Sequence, residues 1–321
     1  MDAGLTACGR IAAVNARPMV SVCMPAHRDS EQLRAAARSV LDQDFTDLEL
    51  IISDDSGGGL RAAAEELADP RIRYFANERQ LGLGGNHTIA VERAQGELIA
   101  FLHDDDEWLP GYLSTYVEAL QRDPSVGIVC GDVWIDKGGA WERRSRPAPG
   151  RYEHWMPVLM QHATFIPSST VMRREVWDAA ERELPDLPVG DVILYIEAAR
   201  TDWAMVWIDE PLVRYRMHEG NQSEAHAKRF RDGLVQVFDV YAFDDPVDEA
   251  ARRHRLARQL ISRAGLSARE GDAEAARADL VRAAELDPTA QRPRRLALLF
   301  LLDHPGLRDR SRQVRDLFPR R

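Results

Sequence analysis

The 321-residue sequence predicts an α/β protein, a doubly wound and mostly parallel sheet followed by an all-helical C-terminal region. Two observations predict the sheet. Short apolar runs alternate with amphipathic, helix-length segments from residue 18 onward, and two of these runs stop abruptly in acid: Leu48–Ser53 in Asp54-Asp55, and Leu98–Leu102 in His103-Asp104-Asp105-Asp106. The third observation is a change of character near Glu224, past which the chain is rich in Ala, Arg and Glu at helical spacing. The expected division is a loose leader over 1–17, an α/β domain over 18–223 and a helical domain over 224–321.

Each element has its own signal. Met19–Met24 is an apolar strand that stops at Pro25-Ala26-His27-Arg28. Ser30 can cap a helix to about Leu41, with Leu33, Ala37, Val40 and Leu41 on one face. The strand Leu48–Ser53 runs into Asp54-Asp55-Ser56-Gly57-Gly58-Gly59. A helix over Leu60–Leu67, a strand over Arg71–Ala76, a Gly-rich turn and a helix to about Ala94 follow, then the strand carrying the Asp run. Pro110 opens a helix to about Gln121, and Val126–Val133 is a further strand. Residues 136–162 are rich in Gly, Arg, Pro and aromatics with poor periodicity, which predicts a functional loop or lid. Thr164–Met172 reads as extended, Arg174–Ala180 as helix, 185–191 as a loop, the segment to about Arg200 as helix, and Ala204–Ile208 as strand.

Composition bounds the function. A formal net charge of −10 argues against general nucleic-acid binding or attachment to an anionic membrane surface. No apolar run reaches the length of a transmembrane helix, and the N-terminal segment lacks a basic-apolar signal pattern. Cys8, Cys23 and Cys130 have no metal-ligand spacing, which fits a reducing cytoplasm rather than a disulfide framework or zinc site. In the C-terminal region, Gly265, Ala268, Gly271, Ala275, Ala276, Leu280, Ala283, Ala284 and Pro288 follow the small-residue spacing of a tetratricopeptide-like hairpin. Such a hairpin is too short to stand alone, so its structural reading is a cap on the α/β domain. Its functional reading is a docking surface for a partner or a second copy.

The Asp run carries the chemistry. Ligands of open α/β sheets bind beyond the carboxyl ends of the strands, where three adjacent carboxylates repel one another unless a positive group neutralises them. A hard divalent cation, Mg²⁺ or Mn²⁺, bound by one or two carboxylates and a substrate diphosphate, meets that need; a solvated acidic loop is the alternative. The turn Gly82-Leu83-Gly84-Gly85-Asn86-His87 lacks the third glycine of a dinucleotide fingerprint and follows the third strand, so it reads as a glycine-rich helix start. No GxxxxGK[ST] segment occurs.

Six segments, in order, resemble the family-two glycosyltransferases: Val20–His27, Ser39-Val40-Leu41-Asp42-Gln43, Leu48–Ser56, Ala94–Leu102 with the Asp run, Gly190-Asp191, and Tyr215-Arg216-Met217-His218. The resemblance covers roughly residues 18–223. It implies the GT-A nucleotide-sugar-binding fold, a doubly wound mixed sheet with helices on both faces, and an inverting, metal-dependent sugar transfer. By the resemblance, Pro25, Ala26 and His27 contact base and ribose, and Asp55 accepts the imino hydrogen of uracil or thymine, so a UDP-sugar is the preferred donor and a dTDP-sugar the next. Asp104 takes the ribose and Asp105 the metal, with Asp106 and Arg216 in support and His103 a polar neighbour of the ribose or a loop buttress rather than a ligand. The commonest family spelling has Asp where this chain has His103.

Asp191 matches the base that deprotonates the acceptor, while its residue type and position equally suit a helix N-cap. His218 matches a position that reaches the metal or the diphosphate, and an imidazole there favours Mn²⁺ over Mg²⁺. Arg214 and Arg216 suit diphosphate oxygens or ordinary surface roles. Trp155, His162 and Trp177 are candidates for the acceptor side, with core packing the alternative for the aromatic rings. Asp54 suits a structural bond to the turn at Ser56-Gly57. Two other functions fit less well. A nucleotidyltransferase would carry a basic Gly-rich loop after the first strand, and a non-catalytic scaffold would have shed the acidic residues that Asp55, Asp104, Asp105 and Asp191 retain. The acceptor and the sugar are not legible in the sequence.

Overall fold

The computed structural model describes residues 17–136, 139–144, 147–162, 165–180, 189–217 and 227–303. The continuous apolar runs become the centre of an eight-stranded mixed sheet, as expected for strands covered on both faces. β1 (Val20–Ala26), β2 (Leu48–Asp54), β3 (Ile72–Ala76) and β4 (Leu98–Phe101) are parallel, with β1 between β2 and β4. Beyond β4 the order continues through β10 (Thr170–Arg173), β6 (Val126–Gly131), β11 (Ala204–Ile208) and β9 (Gly150–Tyr152). β10 runs antiparallel to both of its neighbours, which makes the sheet mixed.

The register lines up the functional ends. Ala26 pairs with Asp54, Asp54 with Ala76, and Cys23 with Phe101, so the loops after four parallel strands open on one edge. The chain winds outward from β1 in both directions, and the β1/β4 boundary is the switch point at which open α/β sheets hold ligands. Strand alternation divides the core. Val20, Val22 and Met24 face α1 (Glu31–Leu41), α2 (Arg61–Glu66) and α4 (Tyr112–Arg122), whereas Cys23, Ile51 and Phe101 face the opposite layer. α1 starts where the sequence placed it, with Ser30 Oγ accepting from the Leu33 N–H at 3.0 Å. Between β3 and β4 lies α3 (Gly82–Arg93), and the turn that returns from it explains the Gln95-Gly96 pair. Gly96 N–H donates to Ser21 Oγ at 2.7 Å, and a Cβ there would sit 2.6 Å from the Ser21 nitrogen.

Residues 136–162 are not a free lid. They hold half of a hairpin, β8 (Trp141–Arg144) against β7 (Val133–Asp136), then edge strand β9 and α5 (Met156–His162), whose Met156, Leu159 and Met160 are buried. The short strands carry Gly, Arg and exposed Trp141, so no period-2 apolar pattern marks them. β7 and β8 belong to a second sheet that periodicity did not show, ordered β5 (Glu107–Trp108), β12 (Val213–Tyr215), β7, β8. Likewise the extended stretch before β10 contains a 3₁₀ turn at Pro167–Ser169.

α6 (Arg174–Ala179) and α7 (Gly190–Ala199) complete the α/β layer. Four helices end the described chain: α8 (Ala227–Val240), α9 (Pro246–Glu270), α10 (Ala273–Leu286) and α11 (Arg292–Asp303). α9 and α10 form a hairpin. Gly271, at φ +90°, ends the first helix, and Asp272 caps the second by accepting from the Ala275 N–H. Leu256, Leu260 and Ile261 of α9 and Ala276, Leu280 and Ala283 of α10 share one buried cluster with α5 and α7, so these helices cover one face of the α/β layer. Among the described residues no helix is long and apolar enough to cross a membrane.

Candidate active site at the strand ends

The loop after β2 is built by its two carboxylates, which do different work. Asp54 is fully buried and accepts from Ser56 N, Ser56 Oγ, Gly58 N, Leu60 N and Tyr74 OH, as its structural reading predicts. Gly57 and Gly58 supply the positive φ values of +80° and +105° that wrap the backbone around it. Burial pushes the Asp54 carboxyl up, but the bonds from Ser56, Tyr74 and Leu60 outweigh it and hold the group below its ordinary value. Its stabilisation is therefore complete above the unfolded value and is lost as pH falls through the lowered folded one. Asp54→Ala leaves several buried donors without an acceptor and is expected to cost about 3 kcal/mol, read as an earlier midpoint in urea melts at neutral pH.

Asp55 faces the other way. Its Oδ1 accepts from Asn77 Nδ2 at 3.0 Å and Leu81 N at 2.8 Å, and its Oδ2 from Gly82 N at 2.9 Å. The Gly-rich turn thus donates its N–H groups to a carboxylate of the same chain, in keeping with a helix start rather than a phosphate cradle. With two acceptor positions on each oxygen, this leaves Oδ2 one position for a further N–H. Asn77 and Asn86 were not anticipated. Asn77 Nδ2 also donates to Asn86 Oδ1, and Asn86 Nδ2 donates to Ser53 O, tying the ends of β2 and β3 to α3. An isolated Asn, whether after a strand like Asn77 or within a helix like Asn86, carries no pattern that would single it out.

The Asp run is held from three sides. Ser39 Oγ accepts from Trp108 N, Gln43 Nε2 donates to Leu109 O, and Gln43 Oε1 accepts from Leu113 N, so the Ser39–Gln43 segment fixes the loop beyond the run. Trp108 Nε1 donates to Ser168 O at 2.7 Å, and Ser168 Oγ donates to Asp106 Oδ2 at 2.5 Å. Just past β12, Arg216 N donates to Asp106 Oδ1 at 3.1 Å, and its guanidinium to Asp105 O at 3.0 Å and to Glu107. Asp106 is wholly buried, whereas Asp104 and Asp105 keep partial access to solvent.

His103 Nδ1 lies 4.0 Å from Asp106 Oδ2, and donor atoms of His103, Asp105 and Asp106 all lie within 4.8 Å of one another. Two donors bound to one ion at about 2.0–2.6 Å lie at most about 4–5 Å apart, so the set is within reach of a single divalent cation. Burial, and then the charge of Asp105, push Asp104 up to about 7 against the pull of the His27 backbone N–H. The same two causes raise Asp106 well above the ordinary carboxylate range. A concentration of negative charge this costly is what a bound cation relieves.

The remaining expected residues fall as follows. Pro25 and Ala26 are buried at the end of β1, and His27 is exposed at the mouth. Asp191 lies in the first turn of α7 but is not its N-cap: Val189 holds that position without a side-chain bond, and Asp191 Oδ1 accepts from the Val192 N–H at 2.9 Å. Burial pushes the Asp191 carboxyl up to about 6, a value at which a base is effective near neutrality. Tyr215, at the end of β12, links the two groups: after burial, the charges of Asp106, Asp105 and Asp191 all raise its hydroxyl. The Asp run and Asp191 thus both lie within electrostatic reach of one phenol.

Arg214 sits 3.6 Å from Glu107 and over the Trp141 ring, a surface arrangement. Trp155 and Trp177 are core residues. Trp155 donates to Trp203 O and packs on Phe165, and Trp177 packs on Phe101, so neither presents a face to an acceptor. His162 is half-buried at the end of α5. His218 lies outside the described residues.

A mixed sheet whose parallel strand ends open on one edge, with helices on both faces, is the architecture of a GT-A nucleotide-sugar transferase fold. Two solved structures share it across most of their length. Staphylococcus aureus TarS 1–349 in complex with UDP-GlcNAc has a TM-score of 0.66 at 15% identity, covering 88% of this chain and 87% of that one. The mannosyltransferase PcManGT of Pyrobaculum calidifontis, in complex with GDP-Man and Mn²⁺, has a TM-score of 0.59 at 19% identity, covering 94% and 83%. Residues 21–179 match the profile of Glycosyl transferase family 2, which places that stretch of the chain in the family. Among curated relatives, the GalNAc(5)-diNAcBac-PP-undecaprenol beta-1,3-glucosyltransferase of Campylobacter jejuni is 37% identical over 126 residues. That stretch takes in 38% of this chain and 40% of the relative, so the likeness spans well under half of either protein.

Proposed function

We propose that this chain is an inverting, metal-dependent glycosyltransferase that uses a UDP-sugar by preference and a dTDP-sugar next. The observation that carries the reading is that Asp55 and the Asp104–Asp106 run follow parallel strands on one edge of the sheet, with Tyr215 under the influence of both the run and Asp191. Pro25, Ala26 and His27 line the base and ribose. Asp55, already fixed by three N–H donors, offers its remaining acceptor position to the imino N–H that uracil and thymine share and that cytosine lacks. Asp104 takes the ribose, beside the His27 backbone N–H. Asp105 holds the cation, with Asp106 and Arg216 fixing the loop beneath it. A divalent ion there would neutralise charge developing on the leaving diphosphate.

Asp191 receives the proton of the acceptor hydroxyl, and its buried position keeps it basic enough at neutral pH to do so. The Campylobacter relative is named for an acceptor carried on undecaprenyl diphosphate, which makes a polyprenyl-linked saccharide the first acceptor class to try. A cytoplasmic location is part of the proposal, supported by the two buried free thiols, Cys23 and Cys130.

The test is a UDP- or dTDP-release assay over a panel of nucleotide sugars and short polyprenyl-diphosphate saccharides. The expected result is acceptor-dependent release from one or more uridine or thymidine donors that stops on chelation. Release from GDP-sugars alone would overturn the role given to Asp55.

A further inference from the structure

His103 opens the acidic run after β4, and its surroundings fix more than its position. His87 Nδ1–H donates to the backbone carbonyl of Leu83 at 2.9 Å; a carbonyl can only accept, so that nitrogen carries the proton. In a neutral imidazole the other nitrogen, His87 Nε2, is then an acceptor, and it lies 3.2 Å from His103 Nε2. His103 Nε2–H must donate across that gap, which leaves the lone pair of His103 on Nδ1. That nitrogen is turned toward Asp106 Oδ2, 4.0 Å away, within the same cluster as Asp105, and no donor satisfies it among the described residues. The two rings stand edge to face with centroids 5.2 Å apart, and His87 meets Phe101 in the same manner at 5.3 Å, so an aromatic contact as well as the hydrogen bond holds the relay. Metal-bound histidines are oriented in this way, by a hydrogen bond from the second ring nitrogen to a fixed acceptor.

The geometry points to His103 Nδ1 as a nitrogen ligand of the cation held by Asp105, with His87 as the residue that sets its tautomer. The inference rests on the metal-dependent reading above and deepens it: the site takes a divalent transition ion in preference to Mg²⁺, which favours an all-oxygen shell.

Pulsed electron paramagnetic resonance of the full chain loaded with Mn²⁺ and UDP tests this without reference to turnover. The expected spectrum shows ¹⁴N modulation from a directly bound imidazole. That modulation disappears in His103→Gln, whose fold is checked by thermal melting, and persists in His218→Gln. His87→Phe is expected to keep the modulation while weakening Mn²⁺ binding about 10-fold. His103→Asp is expected to narrow the preference for Mn²⁺ over Mg²⁺ by about 10-fold in calorimetric titrations. Mn²⁺ binding with no nitrogen modulation, or with modulation lost only in His218→Gln, overturns the assignment and leaves the transferase reading standing. No Mn²⁺ binding at all overturns both.

Discussion

Asp191→Asn is expected to lower kcat by about 10²–10⁴-fold while the affinity for UDP and the cation stays near that of the parent chain, because a general base contributes about that much and touches the acceptor rather than the nucleotide. Asn fills the same space in the first turn of α7 and its side-chain oxygen can still accept from Val192 N–H, so the helix start is preserved. The pH profile gives an independent check. Burial holds the Asp191 carboxyl at about 6 in the folded chain, and only the ionised form accepts a proton. kcat/KM should therefore rise with pH through about 6 and level off above it. Asp191→Asn should lose that limb along with the rate. A variant with lower kcat but an unchanged rise near 6 would assign the base elsewhere.

The second large effect is expected at Asp105. Its charge is a cause of the upward displacement of both Asp104 and Asp106, which marks it as the centre of negative charge in the run. Asp105→Ala should abolish the dependence of UDP affinity on the cation and lower turnover by about 10³-fold or more, a cation on the leaving oxygens being worth several kcal/mol. Its side chain is half-exposed, and the loop is anchored through Asp106, Ser168 and Arg216, so the fold should survive. Asp106→Ala is the informative contrast. It strips acceptors from Ser168 Oγ and Arg216 N, and it should appear first as lost thermal stability. Equal loss of cation-linked binding in both variants, with no difference in melting, would contradict this division of roles.

The parallel half of the sheet was legible because strands buried on both faces are apolar almost throughout: Leu98–Leu102 is so entirely, and Val20–Met24 and Leu48–Ile52 are but for Ser21 and Glu49, which bond each other. The acid beyond Leu48–Ile52 and Leu98–Leu102 was legible for the converse reason: carboxylates directly after such strands need a partner. The second sheet was not legible. β5, β7, β8 and β12 are two to four residues long, and β8 is largely exposed, so their pairing depends on tertiary contacts that no local pattern reports. That sheet is nonetheless what brings Arg216 to the Asp run. Asn77, Ser168 and His87 escaped notice for a related reason. Each makes a hydrogen bond to a residue at least sixteen positions away, and such long-range pairings leave no local pattern in the sequence. At Asp191 the sequence left two readings open, and the structure removes one by giving the cap position to Val189.

The most direct test of the central claim is calorimetric titration of UDP, dTDP, CDP and GDP into the full chain, with Mn²⁺ and with chelator. The account predicts that UDP and dTDP bind more tightly than CDP and GDP, and that chelation weakens both by about 10-fold or more. Binding that ignores the base, or that is as tight in chelator as in Mn²⁺, would contradict it.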